Sequence, residues 1–333
     1  MGGRPTSRRA FLGAIAGLVV SSSIACKQDP APGGPVRVAF FPNLTHAQAL
    51  VAQGEGRFEP AVGGPVVLRL FNAGPAAMEA LLAGDVDVAY VGPGPATIAF
   101  LRSQGSALRV VAGAVSGGAG LVARTARSPR DLAGKRVASP QLGNTQDIAL
   151  RFWIRSQGMT VGEGRGDVRV QPLANADILG LFARGEIEAA WVPEPWGERL
   201  RAEAGGHDLV DERDLWEGRQ FPTTLVVATR RALEARRREV VSILRAHLAL
   251  TERWKADRPA FARAANSQYG RLTGHALPDP VLQDAFSRLE PTVDPLRRQL
   301  EAGARHAQEL KFAPAGDVSG LVDAAPLQEA RRP

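Results

Sequence analysis

The sequence predicts an α/β fold wound into two similar lobes, followed by a helical C-terminal third. Three observations carry this expectation. From Val36 onward, short apolar runs alternate with helical patterns, as parallel strands and crossover helices do. A pattern recurs at an offset of about a hundred positions: Leu81-Leu82-Ala83-Gly84-Asp85-Val86-Asp87-Val88-Ala89-Tyr90-Val91 lines up with Phe182-Ala183-Arg184-Gly185-Glu186-Ile187-Glu188-Ala189-Ala190-Trp191-Val192. From Arg230 to Leu310 no such repeat occurs, and Val240, Val241, Leu244, His247, Leu248 and Thr251 mark one face of a long amphipathic helix.

The strands expected in order are 36–41, 66–71, 86–91, 108–114, 135–138, 168–171, 187–192 and 224–229, each an apolar run bounded by Gly, Pro, Asn or charge. Between them, helical spacing predicts helices over 45–55, 75–83, 95–104, 145–157, 176–183 and 194–202. In the repeat, each copy ends a helix at Gly84 or Gly185 and continues as an acidic and aliphatic strand. A related pair stands upstream, Phe41-Pro42-Asn43-Leu44-Thr45 and Ser139-Pro140-Gln141-Leu142-Gly143-Asn144-Thr145. Residues 118–124 and 221–229 flank the second copy and are expected to cross between lobes, making a hinge. The expected division is lobe 1 from 36–120 plus 222–310, lobe 2 from 121–221, and a C-terminal extension over 311–333.

Composition excludes several classes. The chain has 333 residues, 44% of them hydrophobic, which is too apolar for disorder and long enough for two domains. A single cysteine excludes a disulfide scaffold. The formal charge of +7 falls to +4 once the segment before Cys26 is set aside, since three arginines and no acids lie there. The remaining charges are interspersed, as in Glu234-Ala235-Arg236-Arg237-Arg238-Glu239, which is a solvated surface rather than a nucleic-acid arm.

Residues 1–26 read as an export signal: a basic start, the apolar run 11–20, then small residues before Cys26. The run is shorter than the ~20 residues that span a bilayer. Ser7-Arg8-Arg9-Ala10-Phe11-Leu12 resembles a twin-arginine signal, and Cys26 stands where a lipobox cysteine is acylated, although Ser23 occupies the usual leucine position. Residues 27–35 read as a flexible tether.

Ligands of open α/β sheets bind beyond the carboxyl ends of the strands. Four strand-to-helix junctions carry the polar residues for this: the two upstream turns above, Val91-Gly92-Pro93-Gly94-Pro95, and Val192-Pro193-Glu194-Pro195-Trp196. Such junctions offer backbone N–H groups at a positive helix end, which suits an anion. Val115-Ser116-Gly117-Gly118 lacks the Lys-Ser/Thr of a phosphate loop and is expected as a nest-like turn touching ligand oxygens.

Together Asn43-Leu44-Thr45-His46-Ala47, Tyr90-Val91-Gly92-Pro93, Ser116-Gly117-Gly118, Pro140-Gln141-Leu142-Gly143-Asn144-Thr145-Gln146-Asp147, Trp191-Val192-Pro193-Glu194-Pro195-Trp196 and Phe221-Pro222-Thr223-Thr224 resemble the nitrate, taurine and aliphatic-sulfonate branch of ABC-transporter substrate-binding proteins. The likeness runs from about Val36 to about Leu310. It implies a type II periplasmic-binding-protein fold, two lobes of mainly parallel sheet closing on a small anion or zwitterion. It also implies an ABC permease as partner, a monomer, no cofactor, no metal and no catalysis. Carried over by motif, Asn43, Thr45, His46, Gly92, Ser116 and Gly117 would face the ligand from the first lobe. Gln141, Asn144, Thr145, Glu194 and Trp196 would face it from the second, with Thr223 and Thr224 near the return crossing. Glu194 would favour a ligand carrying an ammonium, such as taurine.

Two other functions fit the same architecture. One is an enzyme acting on a pyrimidine or menaquinone precursor, with His46 and Asp147 or Glu194 as acid and base. The other is a ligand sensor docking on a receptor. No Ser-His-acid set or metal-spaced cluster stands out in the sequence, and an exported, tethered chain favours capture over synthesis.

Overall fold

The computed structural model describes residues 1–2 and 34–332, so the export signal, Cys26 and the tether up to residue 33 lie outside the described residues. From Pro35 onward the strands form two sheets. The first contains β1 (Val36–Phe40), β2 (Val66–Leu70), β3 (Val88–Val91), β4 (Leu108–Gly117), β10 (Pro222–Thr229) and β11 (Leu289–Pro291). The second contains β5 (Ala119–Ala123), β6 (Arg136–Pro140), β7 (Arg169–Leu173), β8 (Ala189–Pro193) and β9 (His207–Asp211).

The two sheets share one winding. The first runs β2-β1-β3-β10-β4 with β11 outside, and the second runs β7-β6-β8-β5-β9. In each, the first three strands are parallel, with Val38 opposite Leu68 and Val137 opposite Val170. The fourth position is antiparallel and filled by a strand that has just crossed from the other sheet: β10 beside β3, and β5 beside β8. The expected crossings at 118–124 and 221–229 are therefore β5 and β10.

Side chains alternate across each strand as a period of two requires. In β1, Val36, Val38 and Phe40 enter the core beneath α1 (Ala47–Gly54), while Ala39 points into the opposite core. Short α2 (Phe58–Val62) follows, adding buried Phe58 to the α1 side. The opposite core lies under α3 (Gly74–Leu82) and α4 (Pro93–Arg102). In the second sheet, Trp191 and Leu121 pack under α5 (Thr145–Ser156), and Val192 and Val122 under α6 (Asn175–Ala183) and α7 (Trp196–Ala204). Burial of each such side chain contributes about 1.5–3 kcal/mol.

The C-terminal third is helical: α8 (Arg230–Ala235), α9 (Arg237–Ala256), α10 (Arg258–Thr273), α11 (Asp279–Ser287), α12 (Arg297–Glu309) and α13 (Ala325–Ala330). Helix α9 buries Val240, Val241, Leu244, His247 and Thr251, the face its spacing predicts, while Leu248 is only half-buried. Helix α10 starts where Asp257 accepts from the Ala260 amide. The segment after Lys311 returns to the first sheet: Val322 bridges to Val110, and Leu327 and Ala330 enter the α9 core.

Two strands are absent from the sequence expectation, β9 and β11. His207-Asp208-Leu209-Val210-Asp211 is too polar to stand out and occupies a sheet edge. Leu289-Glu290-Pro291 is short and ends in proline, which only an edge tolerates.

Candidate functional site

Residues that follow the carboxyl ends of β1, β2, β3, β6 and β7, together with Pro193 at the end of β8, surround one recess between the sheets. Each of the five loops opens a helix. Asn43 caps a short turn, Leu44–His46, that leads into α1; Ala73 is the N-cap of α3, Gly92 of α4 and Asn144 of α5, and Asn175 is the first residue of α6. Five helix starts thus bring their backbone N–H groups and partial positive charge to one place. Among the described residues no charged side chain lines it: the polar groups are Asn43, Thr45, His46, Asn72, Asn144, Thr145, Gln146, Asn175 and Thr223. The recess holds about 20 Å³ of free volume, little more than one water-sized group.

His46 is buried against Phe41, its ring centroid 4.4 Å from the phenyl ring. Burial pushes its imidazole down to about 3, so the ring is neutral at pH 7. The Phe41 amide donates to its Nδ1 over a long 3.4 Å, which assigns the ring proton to Nε2. The acids considered as its catalytic partners are engaged elsewhere. Asp147 accepts from Ser139 Oγ at 2.7 Å, the Gly143 amide at 2.9 Å and Arg151 at 2.9 Å.

Two contacts close the recess across the cleft. Trp196 Nε1 donates to Asn43 Oδ1 at 3.0 Å, and the Gly94 amide donates to Thr145 Oγ1 at 3.1 Å. A Cβ at Gly92 would stand 2.3 Å from Thr145 Oγ1, and one at Gly94 3.1 Å from the Thr145 Cα. Glycines at both positions let the starts of α4 and α5 meet.

The structure brings Asn43, Thr45, His46, Gly92, Asn144, Thr145 and Thr223 to the recess, and it places the other expected residues elsewhere. Glu194 turns away from it: Arg201 holds its carboxylate at 2.6 Å, Arg288 lies at 3.7 Å, and its second oxygen accepts the Glu198 amide at 2.9 Å. Burial pushes this carboxyl up and Arg201 pulls against that shift. Trp196 bounds the site only through Asn43, and its ring lies under Arg199 at 4.9 Å.

The expected nest-like turn is the end of β4 and the crossing into β5. Gly117 and Gly118 take φ of +76° and +71°, which lets the chain reverse there. Its polar groups serve the fold: Ser116 Oγ accepts from the Phe221 amide, the Gly117 carbonyl from Thr223 Oγ1, and the Gly118 carbonyl from the Glu194 amide. Thr224 is fully buried in β10, its Oγ1 without a partner among the described residues. Gln141 lines a larger outer groove of about 470 Å³, which shares Asn72, Ala73 and Asn175 with the recess.

Phe41, Asn72, Ala73, Gln146, Asn175 and Pro193 line the recess and are absent from the expected set. Asn72-Ala73-Gly74-Pro75 and Leu173-Ala174-Asn175 are also strand-to-helix junctions, at equivalent places in the two sheets. Applying the repeat to β2 and β7 would have found them.

Two sheets of one winding, joined by two crossings and sharing a recess at their strands' carboxyl ends, define a two-lobed periplasmic-binding-protein fold. Solved structures agree. The alkanesulfonate-binding protein SsuA from Xanthomonas axonopodis pv. citri, bound to MOPS, matches with a TM-score of 0.69 at 20% identity, covering 90% of this chain and 98% of that one. A Candida albicans protein described as exhibiting the generic periplasmic binding protein structural fold matches with a TM-score of 0.66 at 12% identity, covering 87% and 96%. The chain belongs to the NMT1-like family, which it matches over residues 29–268. Among relatives, a binding protein of Brucella abortus (strain 2308) is 26% identical over 221 residues, and the match spans 66% of each chain. The taurine-binding periplasmic protein of Escherichia coli (strain K12) is 29% identical over 198 residues, 58% of each.

Proposed function

We propose that this protein is an extracytoplasmic solute-binding protein of an ABC importer, which captures a small organic anion, a sulfonate or a related oxyanion, and delivers it to a membrane permease. The observation that carries the reading is the recess itself, where five helix starts converge without a charged side chain. Positive helix ends held face to face repel one another, and an oxyanion between them relieves that repulsion while accepting their N–H groups. Asn43, Thr45, His46 and Gly92 would hold the anion from one lobe, and Asn144 and Thr145 from the other, with Thr223 at the return crossing. Binding from both sides stabilises the closed arrangement and shifts the open–closed equilibrium toward it. In this reading the lobes comprise 36–120 with 222–310, and 121–221, and the segment from 311 onward packs onto the first of them rather than standing apart.

The chain is exported and works as a periplasmic monomer held at the membrane by lipid on Cys26. The names of the relatives and the export signal support this location. This reading assigns no catalysis: among the described residues Asp147 and Glu194, the acids considered for His46, are engaged by Arg151 and Arg201. Calorimetry with alkanesulfonates, taurine, nitrate and a pyrimidine tests the proposal. Saturable binding of a sulfonate, recovered unchanged by mass spectrometry, is expected; chemical conversion of any ligand overturns it.

A further inference from the structure

Thr145 belongs to two spaces. On one side it lines the recess; on the other it lines a separate cavity of about 40 Å³, walled by the first turns of α4 and α5, the return crossing and α12. That cavity contains one carboxylate, Glu212, which is buried. Trp191 Nε1 donates to it at 2.8 Å, and the Trp216 indole adds a weaker donor. Among the described residues these indoles are its only side-chain partners. The other buried acids, Asp87, Asp147, Glu188, Glu194 and Glu198, each face an arginine, at 2.6 Å for Glu194 and at most 3.8 Å for Glu188. Glu212 alone among them has no cation, and it stands directly behind the helix starts that the recess uses.

No neighbouring element supplies the missing charge. β5 and β8, which pack against this connection, consist of uncharged residues, and the first turns of α4 and α5 bring only Pro93, Gly94, Thr145, Ile148 and Ala149 to the cavity. α12 brings His306, whose imidazole burial holds below its ordinary value. Asp211 is held by Arg213 at 2.6 Å, and Asp208 of β9 by Arg201 at 2.7 Å and Arg288 at 2.8 Å. Beyond the 3₁₀ turn, Glu217 pairs with Arg298 and Arg219 with Asp214.

Resting on the reading of the recess as an anion site, we propose that Glu212 is the proton partner of that site: an anion bound at the first turns of α4 and α5 draws a proton from solvent onto the Glu212 carboxylate behind Thr145, and an ionised Glu212 weakens the hold on the anion. Both negative charges draw on the same positive helix ends, and across so small and water-poor a space like charges repel strongly. The coupling is reciprocal, so whatever the anion does to the proton, the proton does to the anion. Burial pushes the Glu212 carboxyl up to about 7, which puts its proton within reach near neutral pH. The other titratable groups that line the two spaces are His46 and His306, both held low by burial. Glu212 acts through Thr145 and the helix ends rather than by touching the ligand, so it is a positioning residue.

The test is calorimetric titration of the purified full-length protein with methanesulfonate and with nitrate, both ionised throughout, between about pH 6 and 8.5. Repeating it near pH 7.5 in buffers of different ionisation heat counts the protons taken up, and this needs no variant. Expected are affinity roughly tenfold lower at the alkaline end and uptake of about half a proton per anion near pH 7.5. Glu212→Gln, shown folded by its melting curve, should bind at the alkaline end about as tightly as the parent does at the acid end, and without proton uptake. Binding that is independent of pH and takes up no proton overturns this inference and leaves the anion recess standing. A pH slope that persists in Glu212→Gln belongs to another group and overturns it equally. Failure of both anions to bind at any pH overturns the recess reading, and this inference with it.

Discussion

The amide of Gly94 donates a 3.1 Å hydrogen bond to Thr145 Oγ1, joining the first turn of α4 to the first turn of α5 across the cleft. Two helix N-termini, each carrying roughly half a positive charge, are thereby held in contact. Neighbouring atoms leave little slack there: a Cβ at Gly92 would stand 2.3 Å from Thr145 Oγ1, and one at Gly94 would be tight, 3.1 Å from the Thr145 Cα. The juxtaposition explains why small and polar residues occupy these turns, and the proposed function places an anion between them.

Gly92→Ala should separate the lobes rather than unfold them. Its φ of −68° suits alanine, but the new Cβ would lie 2.3 Å from Thr145 Oγ1. Affinity is expected to fall by roughly tenfold or more while the melting temperature changes little. Adding Thr145→Ala removes the opposing oxygen, so the two losses should combine to less than their sum. Titration and thermal melting of the three variants check this, and additive losses would contradict it.

Glu194→Ala should cost stability. Removing Glu194 takes from Arg201 one of three carboxylates, leaving Glu198 at 2.8 Å and Asp208 at 2.7 Å, so the loss is that of a charged hydrogen bond, about 1.5–3 kcal/mol. Because Glu194 faces away from the recess, the ratio of propanesulfonate to taurine affinity should be the same in this variant as in the parent. A denaturant series and two titrations measure both effects; a changed ratio would return Glu194 to the ligand site.

Glu212 is buried on the connection from β9 back to β10, where Trp191 Nε1 donates to it at 2.8 Å. Burial pushes its carboxyl up to about 7. Between pH 4.5 and 7 the folded state therefore holds a proton that the unfolded chain has lost. The stabilisation is complete below the unfolded value and disappears as pH rises through about 7. The loss is on the order of 2–4 kcal/mol. Glu212→Gln keeps an acceptor for Trp191 without the charge, so its melting temperature should exceed the parent's at pH 8 and not at pH 4.5. Parallel melting curves across that range would contradict the assignment.

His46 behaves in the opposite sense. Its folded value of about 3 lies below the ordinary 6.5, so the unfolded chain binds the extra proton between them. Stability from this site is present above pH 6.5 and lost as pH falls toward 3. His46→Leu should flatten that acid slope and also weaken ligand binding by about 1–2 kcal/mol through loss of the Nε2 donor. Melting between pH 6.5 and 4 and a titration at pH 7 separate the two effects.

Much of the fold is legible in the residues. The repeat of Leu81–Val91 in Phe182–Val192 foretells two sheets of one winding, and the crossings at β5 and β10 follow from where the second copy begins and ends. What stays hidden lies at edges, where Asp208 and Pro291 break the apolar signal that marks buried strands. The site is legible wherever a loop's place in the fold decides which way it points, as for Asn43, Gly92 and Asn144. Side-chain direction is not: Glu194 follows a strand end that reaches the recess, yet Arg201, seven residues on and one face around α7, draws its carboxylate away. Ser116 fails for a similar reason, because only the folded pairing of β4 with β10 brings the Phe221 amide to its hydroxyl.

The central claim is that uncharged helix starts hold an anion between two lobes. Its most direct test is titration of a sulfonate into the parent and into the Asn144→Ala/Thr145→Ala double variant, both shown folded by their melting curves. Micromolar or tighter binding in the parent, weakened by roughly 1–3 kcal/mol for each lost partner, is the predicted result. Equal affinity in the two proteins would place the ligand somewhere other than the recess and contradict the account.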